Sequence, residues 1–151
     1  MCDLKHEIIA VNAMNISECA EIFISVFSHA PWSETWPVEK AFARLNDIFK
    51  NPKSLCLCCK CDGKIVAALF GFFQEWHTGF QYEIREFFVL KSHQKSGIGT
   101  AILAELESEL SNKTPMNIVL QTLRFEDSVR FYKNNGFLMH DEEIFMYKDL
   151  T

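Results

Sequence analysis

Residues Gln81 to Leu110 read QYEIREFFVLKSHQKSGIGTAILAELESEL, and the order of residue types in this stretch decides the fold. From Tyr82 to Leu90 the residues are β-branched and aromatic with acids interspersed, the composition of a strand. Ile98, Ile102, Leu103, Leu106 and Leu110 recur at three- and four-residue spacings, which is one face of a helix. Between the two lies a short polar turn from Leu90 to Gly97. A strand that runs through a glycine-bearing loop into a helix aims several backbone N–H groups and a positive dipole end at one place, which suits a phosphate. Gly97 and Gly99 carry no Cβ, so a ligand can approach that backbone closely.

The six residues Gln94-Lys95-Ser96-Gly97-Ile98-Gly99 resemble the Q/R-x-x-G-x-G/A acetyl-CoA motif of the GNAT superfamily of N-acetyltransferases. They stand where that motif belongs, after a strand and opening a helix. A second block, Phe131-Tyr132-Lys133-Asn134-Asn135-Gly136-Phe137, resembles the superfamily's later x-Tyr-x-x-x-Gly-Phe block and follows at a typical distance. Two blocks in the right order, each in the right local structure, make the resemblance far more specific than two glycines at a helix start.

The chain has 151 residues, 48% of them apolar, which is enough for one ordinary core and too few for two typical domains. A single domain over 1–151 is expected. No apolar run reaches the ~18 residues of a membrane span, and the N-terminal Met1-Cys2-Asp3-Leu4-Lys5-His6 lacks a signal peptide's hydrophobic region. The expectation is a cytoplasmic chain with no membrane partner. The formal net charge of −5 speaks against nucleic acid as a partner and is compatible with a cationic substrate.

Four of six cysteines fall in Cys56-Leu57-Cys58-Cys59-Lys60-Cys61. Cys58-x-x-Cys61 has no second pair downstream, and in a strand neighbouring side chains point to opposite faces, so the four sulfurs would not converge. Structural thiols and no metal are expected.

The rest of the chain divides at its turn residues. Glu7 to Val11 is a first strand. Asn15 or Ser17 caps a helix with the stripe Ile16, Ala20, Phe23, Ile24 and Phe27. A second helix follows Pro37, its stripe Val38, Ala41, Phe42, Leu45, Ile48 and Phe49. Ser54 to Cys61 and Lys64 to Glu75 form a hairpin over Asp62-Gly63. Beyond the central helix come a strand from Met116 to Gln121, a helix from Glu126 to Asn134 stopped by Asn135-Gly136, and last strands at Phe137 to His140 and Ile144 to Lys148. This order matches the GNAT topology: an α/β (α+β) fold with a mixed, mostly antiparallel, splayed sheet of six to seven strands and about four helices.

The resemblance implies direct acetyl transfer from acetyl-CoA to an amine. The pyrophosphate would rest on main-chain N–H groups of Lys95, Ser96, Gly97, Ile98, Gly99 and Thr100, with Gln94 at the entrance. The pantetheine arm would pair with the exposed edge of the central strand at Phe88, Val89 and Leu90, the N–H of Phe88 serving the thioester oxygen. Glu86 is the first choice for assisting deprotonation, because acids are common in the family at that position, and Glu83 the second. Standing three apart on a strand, the two glutamates are expected on opposite faces. Tyr132 matches the tyrosine that protonates the departing thiolate. The chain departs from the pattern at Phe125, where asparagine is common.

Acceptor choice in the family comes mainly from the segment between the first two helices. Here Phe27 to Trp36 sets Trp32, Glu34 and Trp36 in an aromatic and acidic lip, suited to a polyhydroxylated or polycationic amine. That segment, with Glu39, Ala41, Arg44 and Leu45, resembles the aminoglycoside 6′-N-acetyltransferase-like subgroup. So does Glu75-Trp76-His77-Thr78-Gly79-Phe80, which adds Glu75 and His77 to the substrate candidates. An aminoglycoside-like amine is the first expectation, and a polyamine, amino acid or protein N-terminal amine the alternative. An acyl-CoA-binding regulatory module without catalysis is the reading from another class. Family members frequently dimerise, so a homodimer is also to be expected, with Phe70, Phe72, Phe73 and Phe80 packing internally or across subunits.

Overall fold

Asp62 and Gly63 both take positive φ, 50° and 78°, which matches the right-handed twist of a two-residue hairpin and joins the two longest stretches of apolar sequence. The computed structural model describes residues 5–151, so Cys2 and most of the N-terminal segment read for a signal peptide lie outside the described residues. The described chain forms two compact units, one reaching Gln121 and the other Thr122–Thr151.

In the larger unit, β1 (His6–Ala10) leads to α1 (Ile16–Phe27) and α2 (Val38–Phe49). The hairpin of β2 (Ser54–Cys61) and β3 (Lys64–Trp76) follows, then β4 (Gly79–Val89), α3 (Ile98–Leu110) and the short β5 (Ile118–Leu120). The smaller unit carries α4 (Glu126–Asn134). The strands lie in the order β1-β2-β3-β4-β5, antiparallel up to β4, with β5 parallel to β4. The mixed, mostly antiparallel sheet and the four helices are those expected. The strand count is five among the described residues. Neither Phe137 to His140 nor Ile144 to Lys148 forms a strand. Leu138, Ile144, Phe145, Met146 and Tyr147 are exposed, and strand propensity is realised only where a neighbouring strand and an apolar face receive the side chains.

One face of the sheet buries Cys56, Cys58, Ala68, Phe70 and Phe88 against Cys19, Ala20 and Phe23 of α1 and Ala41 and Leu45 of α2. The alternate residues Leu57, Leu69 and Tyr82 are also buried, on the side where α3 packs its stripe of Ile98, Ile102, Leu103, Leu106 and Leu110. Two local expectations are corrected. Asn15 occupies the N-cap of α1, but its Oδ1 accepts the N–H of Asn12 rather than a helical amide. Val38 opens α2 in an exposed position, outside the buried stripe.

The cysteines divide by strand alternation. Cys56 and Cys58 face α1, where Asn15 Nδ2 donates to Cys58 Sγ at 3.8 Å, and Cys59 and Cys61 face the other way. All five described cysteines are buried and free, and burial pushes the thiols of Cys56 and Cys59 up to about 11. Among the described residues no group of three or more His, Cys, Asp or Glu side chains is arranged to hold a metal. Phe70 and Phe73 pack within the chain, the latter with its ring 5.5 Å from Phe80 and 5.4 Å from Tyr82.

Candidate active site

The register between β3 and β4 breaks once. Phe70 pairs with Glu86 and Gly71 with Ile84, which leaves Arg85 as an extra residue, a β-bulge. Strict alternation would turn Glu83 and Glu86 to opposite faces, as the sequence suggests. The bulge changes that parity: Glu83 pairs with Phe72 and Glu86 with Phe70, two residues apart on β3, so both carboxylates share the face covered by α1 and α2. Gly71 makes room for this. A Cβ there would stand 2.4 Å from the carbonyl oxygen of Glu83 and 2.4 Å from the hydroxyl of Tyr82, which donates to the Leu55 carbonyl.

The Glu86 side chain is 10% exposed and accepts a hydrogen bond and ion pair from Nε of Arg44 on α2. Burial raises its carboxyl above the ordinary range; Arg44 and Arg85 oppose that rise, and Glu34 adds to it. Glu83 is held differently, by Gln74 Nε2 and by Arg85 Nη1 at 3.2 Å.

Aromatic side chains gather the acceptor loop over this face. Phe23 holds Phe27, Trp36 and Phe88 with ring centroids 4.7, 5.0 and 5.5 Å away, and Phe27 holds Trp32 at 5.1 Å. Trp36 Nε1 donates to Glu34 Oε2 at 2.6 Å, and the Arg44 guanidinium lies 5.8 Å from the centre of the Trp36 ring. Trp32, Glu34 and Trp36 are thus brought together with Glu86. Glu75 and His77 are not. Glu75 pairs with Phe80 near the hairpin end, on the sheet's other face, roughly 16 Å along β3 from Phe70, and its carboxylate is ion-paired to Lys53 at 2.8 Å. His77 lies in the turn beyond it, its ring 5.7 Å from Trp76.

The backbone at the end of β4 is open on one side. β5 pairs only with Tyr82, Glu83 and Ile84, so among the described residues the β4 edge from Arg85 to Val89 has no strand beside it. The N–H of Leu90 donates to Val66 on the β3 side at 2.8 Å. By alternation the amide of Phe88 also points at β3, and those of Phe87 and Val89 point to the open edge. The edge donor is therefore Val89, not Phe88 as the sequence reading has it. The Val89 carbonyl accepts from Gln94 Nε2 at 3.0 Å.

Helix α3 begins at this edge. Lys95 and Gly97 take φ of 57° and 89°, and the first intrahelical bond runs from Ala101 N–H to Gly97 carbonyl, so the amides of Ile98, Gly99 and Thr100 precede the ladder. No side chain caps them, and Ser96 turns its hydroxyl to the His93 carbonyl instead. Nothing lies within 4 Å of the position a Gly97 Cβ would take. Free amides, a helix dipole and open space fit a diphosphate, and the open β4 edge fits an extended amide-bearing arm.

In the smaller unit, Tyr132 stands on α4 with the rings of Phe131 and Phe137 5.1 and 5.4 Å away. Gly136 at φ 86° turns the chain out of the helix. A separate cleft lies beside β1, lined by Ile8 to Val11, Ser54 to Leu57 and Glu105, and contains none of the predicted site residues. Sequence reasoning named Arg44 only within the subgroup resemblance, with no role in the site, and missed Gln74. The available signal for Arg44 was its place three residues after Ala41 and one before Leu45, on the flank of the buried stripe.

Residues 18–137 match the family model described as the acetyltransferase (GNAT) family. No curated protein sequence matches the chain. Among solved structures, an aminoglycoside acetyltransferase from an uncultured soil metagenomic sample, in complex with trehalose, shares the fold with a TM-score of 0.78 at 16% identity, over 100% of both chains. The aminoglycoside N-acetyltransferase AAC(6′)-Iy, in complex with CoA, gives 0.77 at 14% identity, over 97% of this chain and 95% of that one. A ribosomal-protein-alanine N-acetyltransferase from Brucella melitensis biovar Abortus 2308 gives 0.74 at 13% identity, over 95% and 99%.

Proposed function

Because the chain belongs to the acetyltransferase (GNAT) family and is an acetyl-CoA-dependent N-acetyltransferase, we propose that its acceptor is the primary amine of a small cationic molecule, an aminoglycoside-like 6′-amine first. The observation that carries this reading is Glu86, a nearly buried carboxylate on the acceptor-loop side of β4, two residues before Phe88 and at the start of the open edge.

Acetyl-CoA, when bound, supplies the acetyl group as a thioester. The amides from Lys95 to Thr100 hold its diphosphate, with Gln94 at the entrance, and the open edge at Val89, between the inward-turned amides of Phe88 and Leu90, holds its arm. The Val89 amide donates where negative charge develops. An aliphatic ammonium has a pKa near ~10.4, so neutralising it at pH 7 costs about 4–5 kcal/mol. Glu86 takes that proton, and a carboxyl raised by burial lies nearer the working pH than a solvated one. Glu83, tied to Gln74 and Arg85, is the second candidate. Tyr132 returns a proton to the thiolate, an assignment that rests on its sequence block.

Trp32, Trp36 and Glu34 receive the acceptor through ring faces and charge. A polyamine is the second reading, because a second carboxylate, Glu34, lies near enough to Glu86 to add to the rise of its carboxyl. Both units work as one domain, in keeping with a family model that spans residues 18–137. A cytoplasmic location accords with the free cysteines and with the absence, among the described residues, of a helix long and apolar enough to cross a membrane.

The test is release of free thiol from acetyl-CoA across aminoglycosides, polyamines, amino acids and peptides with free N-termini. Aminoglycosides are expected to give the highest kcat/KM. Binding of CoA without release in the presence of any amine would instead identify a regulatory module.

A further inference from the structure

Glu86 sits among groups that offer it little. Across the sheet it stands opposite Phe70, and the next residue on its own face, Phe88, is ringed by Phe70 of β3 and by Phe23 and Phe27 of α1, none of which titrates. The charged groups that act on it are Arg44 from α2, Arg85 from β4 and Glu34 from the acceptor loop. Arg85 is already engaged, its Nη1 3.2 Å from Glu83 Oε1. Arg44 is the partner whose hydrogen bond reaches Glu86 itself.

Arg44 is in turn fixed from two sides. Its backbone lies between Ala41 and Leu45, both fully buried, and its guanidinium lies 5.8 Å from the centre of the Trp36 ring. Trp36 donates to Glu34. A continuous chain Glu34, Trp36, Arg44, Glu86 therefore ties the loop between the first two helices to the bulged strand.

We propose that Arg44 is a positioning residue, which aims the Glu86 carboxylate beneath the acceptor loop and balances its charge until an acceptor cation arrives. This inference deepens the reading of Glu86 as proton acceptor and rests on it. With the guanidinium in place, the rise that burial imposes on the carboxyl is opposed, and its oxygens have one direction. Without it, burial acts unopposed except by an arginine shared with Glu83, and the carboxyl keeps its proton to higher pH.

The experiment uses the full chain with Arg44→Met and Arg44→Lys. The Glu86 side-chain carboxyl, assigned by its loss in Glu86→Gln, is titrated by carbon NMR, and kcat/KM is measured against pH on the same samples. In Arg44→Met the Glu86 midpoint should rise by about 1 unit, the low end for a lost opposite charge because Arg44 is 42% exposed. The acid limb of kcat/KM should move with it, and kcat should fall about tenfold at pH 7, while KM for acetyl-CoA stays constant. Arg44→Lys should restore the midpoint through its charge and kcat only partly, since an ammonium lacks the planar fork. Thermal melts confirm folding, and Arg44→Lys carries the comparison if Arg44→Met is unstable: a lysine variant with wild-type kcat and midpoint overturns the directional role. An unchanged midpoint in folded Arg44→Met overturns the proposal outright. A midpoint that rises while the acid limb stays in place supports the hold of Arg44 on Glu86 and overturns Glu86 as the proton acceptor.

Discussion

Glu83 and Glu86 stand on the same face of the sheet, because Arg85 is an extra residue between Ile84 and Glu86 and their partners Phe72 and Phe70 lie two residues apart. Position on the sheet therefore does not separate the two carboxylates, and their surroundings do. Glu83 is bonded to Gln74 and Arg85. Glu86 is bonded to Arg44 and lies within reach of the aromatic loop.

Glu86→Gln should lower kcat/KM by roughly 10²–10⁴, the span for loss of a proton-transfer group, while Glu83→Gln should change it only a few-fold. Steady-state assays of both variants decide the matter. A larger loss for Glu83→Gln would transfer the role to that residue.

The same burial makes a stability prediction. The folded-state carboxyl of Glu86 is raised above its ordinary 4.5, so between that pH and its folded midpoint the unfolded chain has already lost a proton that the folded chain keeps. The contribution of Glu86 is then fully present below pH 4.5 and is lost as pH rises through the folded midpoint. Each unit of elevation corresponds to about 1.4 kcal/mol. Glu86→Gln should show a flatter decline of Tm above pH 4.5 than the wild type. Parallel slopes would mean that Glu86 is well solvated.

Much of this arrangement was legible in the sequence, and the part that was not has a definite cause. The helix stripe from Ile98 to Leu110 and the hairpin over Asp62-Gly63 follow from local periodicity and turn chemistry, and both appear at the predicted residues. The two motif blocks likewise mark α3 and α4. The bulge at Arg85 depends on how β4 docks on β3, which no spacing within Tyr82 to Leu90 reveals. From that one residue follow the shared face of Glu83 and Glu86 and the outward turn of the Val89 amide. The Arg44 ion pair joins residues 42 apart in the chain, so it too was invisible to local pattern. Residues from Phe137 onward carry strand-like composition without a partner strand among the described residues, and composition alone predicted strands there.

Gly71 should tolerate no side chain. An added methyl would lie 2.4 Å from the Glu83 carbonyl oxygen, a backbone atom that cannot swing aside, and 2.6 Å from the Tyr82 ring. Gly71→Ala is expected to cost about 1–3 kcal/mol, as other overpacked sites do. It should also reduce turnover, because relief requires the bulge beside Glu86 to shift. Urea denaturation with Gly71→Ala and Gly71→Ala/Tyr82→Phe measures this. Removing the hydroxyl should recover only part of the loss, since the carbonyl contact remains. Wild-type stability in Gly71→Ala would show that β3 and β4 do not approach this closely.

Gly97 tests the helix mouth most directly. Its φ of 89° lies where an L side chain is strained, so Gly97→Val should cost about 1–2 kcal/mol in the fold. The protein itself offers no clash, because no atom lies within 4 Å of the position a Cβ would take. A diphosphate seated on the amides of Ile98, Gly99 and Thr100 would meet the new side chain. Calorimetric titration with CoA should therefore show affinity falling at least tenfold, or about 1.4 kcal/mol, in Gly97→Val, with a smaller loss in Gly97→Ala. Circular dichroism should remain that of the wild type in both. A folded Gly97→Val that binds CoA with unchanged affinity would mean that the diphosphate lies elsewhere, and the open edge of β4 would then have to be approached from another direction.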